Sequence, residues 1–291
     1  LILTHVQPPI SAHTQLCAVI GNPVHHSLSP AIHNAAFKAT GLDFVYTAFK
    51  VEHPAMVLDG MRAMENFRGL SVTIPHKTAI VNLVDEISDL DKTIGSINTV
   101  IHQNGKLRGA GTDGPGALRA LIDAGTPLAD TRLLILGAGG AARAIAFALL
   151  DYAQVEELAL YDPDTTTLSR LAGDLSSFFT LPVQKIDSHP TLLHYASTAN
   201  IIINTSPVGM FPNVNNTPLK GAQFSPRQTC FDIIYTPVMT QFLKTAQMQG
   251  AKIISGVEMF VHQAAMQFEL FTGIPAPVSV MRAIVEERVT Q

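Results

Sequence analysis

Residues 133–145, reading Leu-Leu-Ile-Leu-Gly-Ala-Gly-Gly-Ala-Ala-Arg-Ala-Ile, restrict the possible folds more than any other stretch. The run 133–136 is a short buried strand, Gly137-Ala138-Gly139-Gly140-Ala141 is a tight turn, and small apolar residues at helical spacing open a helix directly after it. Such a turn suits a dinucleotide. Gly137 turns the chain sharply, Gly139 lets backbone approach a pyrophosphate, and Ala142 takes the close-packing position. The phosphates then meet unpaired amides at the helix N-terminus. Asp162 closes the next strand, 158–161, where a carboxylate accepts from an adenosine ribose. An ordinary strand, turn and helix is the competing reading of these residues.

The same stretch raises a membrane alternative, because residues 133–150 carry Arg143 as their sole charge. Three glycines in its first half, its β-type start and the lack of a second such stretch argue against a span. The net charge of −4 and pI near 6.3 exclude nucleic acid and an anionic membrane as expected partners. With 47% hydrophobic and 14% charged residues, 291 residues suffice for two domains with large cores. Cys17 and Cys230 lie far apart, so reduced thiols in a cytoplasmic protein are expected. Residues 1–14 lack the basic start and apolar core of a signal peptide and read as an irregular lead-in.

Ahead of the glycine turn, 15–21 reads as a strand ending in Gly21-Asn22-Pro23. Ser29 then reads as the N-cap and Pro30 as the first residue of a helix that runs to about Thr40 and closes at Gly41. Ser27 and Ser29 beside that N-terminus either grip a small carboxylate or comprise a plain capping serine and its neighbour. The strand 43–51, the amphipathic segment 53–64 and the strand 69–74 form a β-α-β rhythm that implies a parallel pair. Thr73 and Lys77 stand at the carboxyl end of that last strand, where open α/β sheets bind ligands. A solvated lysine starting the next helix is the other reading of Lys77.

Residues 96–101 and 106–111 flank Asn104-Gly105, a hairpin signal. One end of the hairpin delivers Asn98 and the other Asp113, which by default is a turn residue in a glycine-rich loop. A helix follows Pro115. Beyond the glycine turn, Asp164 reads as the N-cap of a helix over 165–178, and strands follow at 183–186, 200–204, 229–234 and 251–254. Six strands make a doubly wound sheet, with Thr205 in the loop leaving the fourth. The final helix begins at Gly256 and ends at Gly273, placing Met259, Gln263 and Gln267 on one stripe. His25, His26 and His33 are too loosely spaced for a zinc signature, so no metal is assigned.

Taken in order, these motifs resemble the shikimate dehydrogenase family, including its quinate/shikimate members. They are Gly21-Asn22-Pro23, His26-Ser27-Leu28-Ser29-Pro30, His33-Asn34, Val72-Thr73-Ile74-Pro75-His76-Lys77, Ile97-Asn98-Thr99 and Thr112-Asp113-Gly114. To these are added the glycine turn, Asn204-Thr205 with Gly209-Met210, Asp232 to Tyr235, and Gly256 with Met259 and Gln263. Together they span nearly the whole chain.

The resemblance implies an α/β protein of two domains around a cleft. One is a substrate-binding and catalytic domain made of residues 1–113 and 256–291; the other is a Rossmann-type dinucleotide-binding domain over 114–255. It implies an NAD(P)-dependent oxidoreductase of the shikimate pathway, monomeric or homodimeric, acting on shikimate or, as the runner-up, quinate; a non-catalytic sensor is the reading from another class. It further implies that Ser27 and Ser29 bind the substrate carboxylate, and that Thr73, Asn98, Tyr235 and Gln263 surround the ring hydroxyls. Lys77 and Asp113 are the implied proton-transfer pair, and Gly256 and Met259 lie beside the nicotinamide. Two departures stand out. Gly111 replaces the asparagine usual before Thr-Asp, and Asp162-Pro163-Asp164-Thr165 replaces an Asn-Arg-Thr stretch of NADP-dependent members. Carboxylates at that rim repel a 2′-phosphate, so NAD is expected over NADP.

Overall fold

Two sheets, each with its own core, organise the described residues, 8–289 of the computed structural model; residues 1–7 of the expected lead-in lie outside them. These residues divide into one unit reaching Thr112 and resuming at Val261, and a second unit, Asp113–Phe260.

The first unit contains β1 (Gln15–Gly21), α1 (Ser29–Thr40), β2 (Phe44–Lys50), α2 (Pro54–Ala63), β3 (Phe67–Val72), a 3-10 turn at Ala79–Asn82, α3 (Asp89–Ile94), β4 (Thr99–Gln103) and β5 (Lys106–Ala110). The sheet order is β2-β1-β3-β4-β5. β1 runs parallel to both neighbours, so β2 and β3 flank it and do not form the direct pair implied by their rhythm. β4 and β5 form the expected hairpin, with Asn104 and Gly105 both at positive φ, 54° and 75°. On one face Ala18, Ile20, Leu70 and Val72 alternate inward against Leu58, Met61 and Ile80.

The second unit contains α4 (Asp113–Asp123), β6 (Arg132–Leu136), α5 (Gly140–Tyr152), β7 (Glu157–Tyr161), α6 (Thr165–Phe178), β8 (Val183–Ile186), α7 (His189–Thr198), β9 (Ile201–Asn204), β10 (Thr229–Asp232), α8 (Gln241–Met248) and β11 (Lys252–Ile254). All six strands are parallel, in the order β11-β10-β9-β6-β7-β8. The chain reverses direction across the sheet between β6 and β9, which opens a crevice at their carboxyl ends. The sparsely charged stretch 133–150 is β6 followed by most of α5, and no described helix is long and apolar enough to cross a membrane.

Helix α9 (Gly256–Thr272) begins in the second unit and ends in the first, where α10 (Val278–Val289) packs on α1. Phe37 packs against Phe268 with the rings tilted and centroids 5.5 Å apart, both fully buried, which fastens α1 to the far part of α9. Burying each such ring contributes about 2 kcal/mol.

Two expectations are corrected. Ser29 is not the N-cap of α1: Leu28 holds that position, and Ser29 is the first helical residue. The hydroxyl of Ser27 accepts from the Ser29 amide at 3.2 Å, so the serine that satisfies a free amide is the earlier one. Asp113 is no turn residue, because α4 starts there, two residues before Pro115. Proline tolerates the whole first turn, where no intrahelical amide bond is required, so it does not mark the start.

Candidate active site

In the first unit the carboxyl ends of β1 and β3 are stitched together beyond their ladder. The Thr73 amide donates to Ile20 O at 2.9 Å, and the Asn22 amide to Ile74 O at 3.0 Å. This ties the start of the loop that leads to Ser27 and on to Ser29 in α1 to the loop that leaves β3 with Thr73 and Lys77. Lys77 is half-buried and fixed by its backbone, its carbonyl accepting from Ile97 N at 3.0 Å. His76, just ahead, is buried with its Nε2 at 2.8 Å from Val51 O.

Asn98 sits between β3 and the hairpin. Its Oδ1 accepts from the Thr112 amide at 2.8 Å and the Thr99 hydroxyl at 3.1 Å, and its Nδ2 donates to Gln263 Oε1 at 3.3 Å. Asn98 and Gln263 are therefore neighbours, as a shared role at a ligand requires. Beneath them lies a buried polar chain of Tyr46, Ser71 and Gln267 to which the motifs gave no role. Gly111 now has a physical account. The Asp91 carboxylate, reaching over from α3, accepts from the Gly111 amide at 3.1 Å and from the Ser88 hydroxyl at 2.8 Å. A Cβ at position 111 would lie 2.6 Å from Asp91 Oδ1, so a larger residue there has to displace the Asp91 carboxylate from the Gly111 amide. Burial pushes the Asp91 pKa up, against the pull of Ser88 and Gly111.

In the second unit Asp113 is buried in the first turn of α4. Gly137 has φ 107° and donates to Tyr161 O at 2.7 Å; a Cβ there would lie 2.6 Å from Thr205 Oγ1. The Thr205 hydroxyl donates in turn to Leu136 O at 2.8 Å, tying the loop after β9 to the end of β6. Gly139 caps α5 with no side-chain hydrogen bond, and a Cβ built on it would meet nothing within 4 Å. Gly139 thus leaves open space at a helix start that no side chain caps. Such an uncapped helix N-terminus suits an anionic group such as a pyrophosphate.

Asp162 is engaged otherwise than expected. Its Oδ2 accepts from Ala138 N at 2.7 Å and its Oδ1 from Asp164 N at 2.8 Å. Asp164 caps α6, accepting from the amides of Thr166 and Thr167, and the Thr167 hydroxyl chiefly holds its pKa below the usual range.

At the neighbouring strand ends, Asn204 Nδ2 donates to Asp232 Oδ1 at 3.1 Å, and the Thr240 hydroxyl donates to Asp232 Oδ2 at 2.7 Å. Asp232 is fully buried, and burial pushes its pKa up to about 6. Its recurrence in a motif was visible, but not its task of joining two loops. Tyr235 stacks on Phe260 with centroids 4.9 Å apart, and burial raises its phenol pKa. Met259 is buried, and Gly256 lies so close to the backbone of Ile233 and Ile234 that a Cβ would overlap it.

Residues 19–100 match the family model of the shikimate dehydrogenase substrate binding domain, and residues 256–286 that of the shikimate 5'-dehydrogenase C-terminal domain. A shikimate dehydrogenase (NADP(+)) from Moorella thermoacetica is 41% identical over 281 residues, covering 96% of this chain and 95% of that protein. Another from Bacillus cereus is 42% identical over 275 residues, covering 93% and 97%. The structure of a shikimate 5-dehydrogenase from Listeria monocytogenes in complex with shikimate and NAD aligns with a TM-score of 0.89 at 34% identity, covering 96% and 99%.

The expectation of NAD over NADP is overturned by the NADP(+) names of these near full-length relatives. The physical error lay in reading Asp162 and Asp164 as carboxylates turned toward a ribose. Both are consumed by backbone amides of the turn and of α6, so their presence does not select the cofactor.

Proposed function

The chain belongs to the shikimate dehydrogenase family, and we propose that it interconverts shikimate and 3-dehydroshikimate with NADP as redox partner. The reading rests on one observation above the rest. A chain matching such enzymes over almost its full length gathers serine hydroxyls, amides and a lysine around the carboxyl ends of the parallel strands β1 and β3 of one sheet, and an open glycine turn at the crevice of another.

In this reading the first unit binds the acid and the second the nucleotide. Ser27 and Ser29, with the amides opening α1, bind the carboxylate. Thr73, Asn98, Gln263 and Tyr235 bind the ring hydroxyls, each offering a donor or an acceptor that water would otherwise satisfy. Gly137, Ala138, Gly139, Gly140, Ala141 and Thr205 seat the pyrophosphate, and Asp162 holds their turn in shape. Gly256 and Met259 form the wall beside the nicotinamide, which supplies or takes the hydride at the carbon bearing the reacting oxygen.

Loss or gain of hydride changes the charge on that oxygen, so a proton must move there. Lys77 donates it during reduction and accepts it during oxidation, while Asp113 orients the ammonium and the hydroxyl. Two buried, free cysteines fit a reducing, cytoplasmic setting.

Initial rates with shikimate and with quinate, each against NADP+ and NAD+, test the proposal. The highest kcat/KM belongs to shikimate with NADP+. Absence of shikimate-dependent turnover from the folded protein overturns it.

A further inference from the structure

Helix α3 is short, yet it holds backbone next to both residues assigned to proton transfer. At its carboxyl end Gly95, at φ 66°, donates to Asp91 O at 2.9 Å and turns the chain into Ser96 and Ile97. The Ile97 amide then donates to Lys77 O at 3.0 Å. At its amino end Ser88 caps the helix, its hydroxyl oxygen accepting from the Asp91 amide at 3.0 Å while its proton goes to Asp91 Oδ2 at 2.8 Å. Asp91 is thus fixed in backbone and side chain, and its other oxygen, Oδ1, accepts from the Gly111 amide at 3.1 Å.

That amide needs a partner from outside the sheet. The β4–β5 ladder ends with Thr99 opposite Ala110, so Gly111 has left it. Asn98 holds the residues on either side, its amide donating to Ala110 O at 3.3 Å and its Oδ1 accepting from the Thr112 amide at 2.8 Å. With Asp91 on Gly111 between them, all three residues before Asp113 are pinned.

Position 111 is also where the resemblance to the family expects asparagine. Chain neighbours apart, a Cβ there would meet Asp91 Oδ1 at 2.6 Å and Asp91 Cγ at 3.7 Å, and then nothing nearer than Ser96 O at 3.8 Å. The carboxylate from α3 and a side chain at 111 therefore compete for one space, and this chain keeps the carboxylate. An asparagine would restrain the same turn locally, since its side-chain oxygen reaches the amide two residues on, which is that of Asp113.

We propose that Asp91 is a positioning residue for Asp113: from α3 it fixes the backbone that delivers the Asp113 carboxylate, in place of a side chain at residue 111. The proposal rests on the assignment of Asp113 to the catalytic pair. Because Ile97 fixes Lys77 from the same helix, one short element sets the backbone at Lys77 and at the approach to Asp113. A slack Gly111 lets α4 start from a shifted position, and a shift of about an ångström in a reacting geometry is enough to slow the chemistry.

Asp91→Ala removes the link. Its kcat for shikimate oxidation falls about tenfold, while the KM values for shikimate and NADP+ stay within about threefold of wild type. Asp91→Asn keeps an oxygen for the Gly111 amide and turns its NH2 to Ser88 Oγ, so its kcat stays within about twofold. The decisive protein combines Asp91→Ala with Gly111→Asn. Asparagine enters the vacated space, ties the Asp113 amide and returns kcat to within about threefold of wild type, whether or not thermal stability recovers. A merely structural role would lower the melting temperature and leave the kcat of folded protein unchanged.

Folded Asp91→Ala with a kcat within about twofold of wild type overturns the proposal. So does Asp91→Asn as slow as Asp91→Ala, or a double variant no faster than Asp91→Ala alone. If Asp91→Ala does not fold, Gly111→Ala decides. Its methyl displaces the carboxylate and brings no acceptor, so kcat must fall about tenfold there too, and an unchanged kcat sinks the idea. Full turnover by Asp113→Asn would instead count against the assigned catalytic pair, a result distinct from all of these.

Discussion

Replacing Asp232 by asparagine isolates the cost of burying one carboxylate at the crevice of the six-stranded sheet. Asp232 is fully buried and accepts from Asn204 Nδ2, the Ile234 amide and the Thr240 hydroxyl. Those three donors lower its pKa, yet burial outweighs them and carries it from 3.8 to about 6. A group whose folded pKa is raised binds its proton more tightly in the folded state. Its stabilising contribution is complete below 3.8 and is lost as pH climbs through about 6. The gap of about two units corresponds to about 3 kcal/mol. Asparagine keeps an oxygen for the two N–H donors and turns its amide toward Thr240 Oγ1, without a titrating proton. Urea unfolding of both proteins at about pH 4 and about pH 7.5 reads the difference directly. The variant gains about 2 kcal/mol relative to wild type between the two conditions. A difference that stays constant, or moves the other way, refutes the claim that an uncompensated buried charge resides there.

Three substitutions test the glycines by location. Gly139→Ala places a methyl in open space, so thermal stability and the KM for shikimate hold while the KM for NADP+ rises about tenfold or more; an unchanged KM for NADP+ removes this turn from the nucleotide site. Gly256→Ala sets a methyl into the backbone of Ile233, which cannot yield as a side chain does, and calorimetry should show a loss of about 2 kcal/mol or more. Gly111→Ala collides with Asp91, so it lowers stability in the wild-type background and does so far less in Asp91→Ala; additive losses in that double-mutant cycle contradict the contact.

The nucleotide unit was legible because its signals are local. An apolar run, glycines at fixed offsets and an Asp164 cap set β6, α5 and α6 within a few residues of one another along the chain. The hairpin was legible for the same reason, through Asn104 and Gly105. What escaped was non-local or ambiguous. Tyr46, Ser71 and Gln267 form one chain across the whole first unit, and no spacing announces it. Helix α3 is one short turn-and-a-half without apolar periodicity, although Ser88 caps it and its Asp91 holds the hairpin end. Asp162 shows the opposite failure: its position was read well and its partner wrongly. A carboxylate after a strand suits a ribose or a turn amide equally, and sequence does not say which one it meets.

Shikimate turnover and shikimate binding, measured side by side on wild type and Lys77→Ala with NADP+, test the central claim most directly. The account predicts that turnover falls about a thousandfold or more while the dissociation constant for shikimate changes by less than about tenfold, because a proton carrier is lost and the hydroxyl and amide contacts are kept. Turnover within about tenfold of wild type in the variant would contradict it.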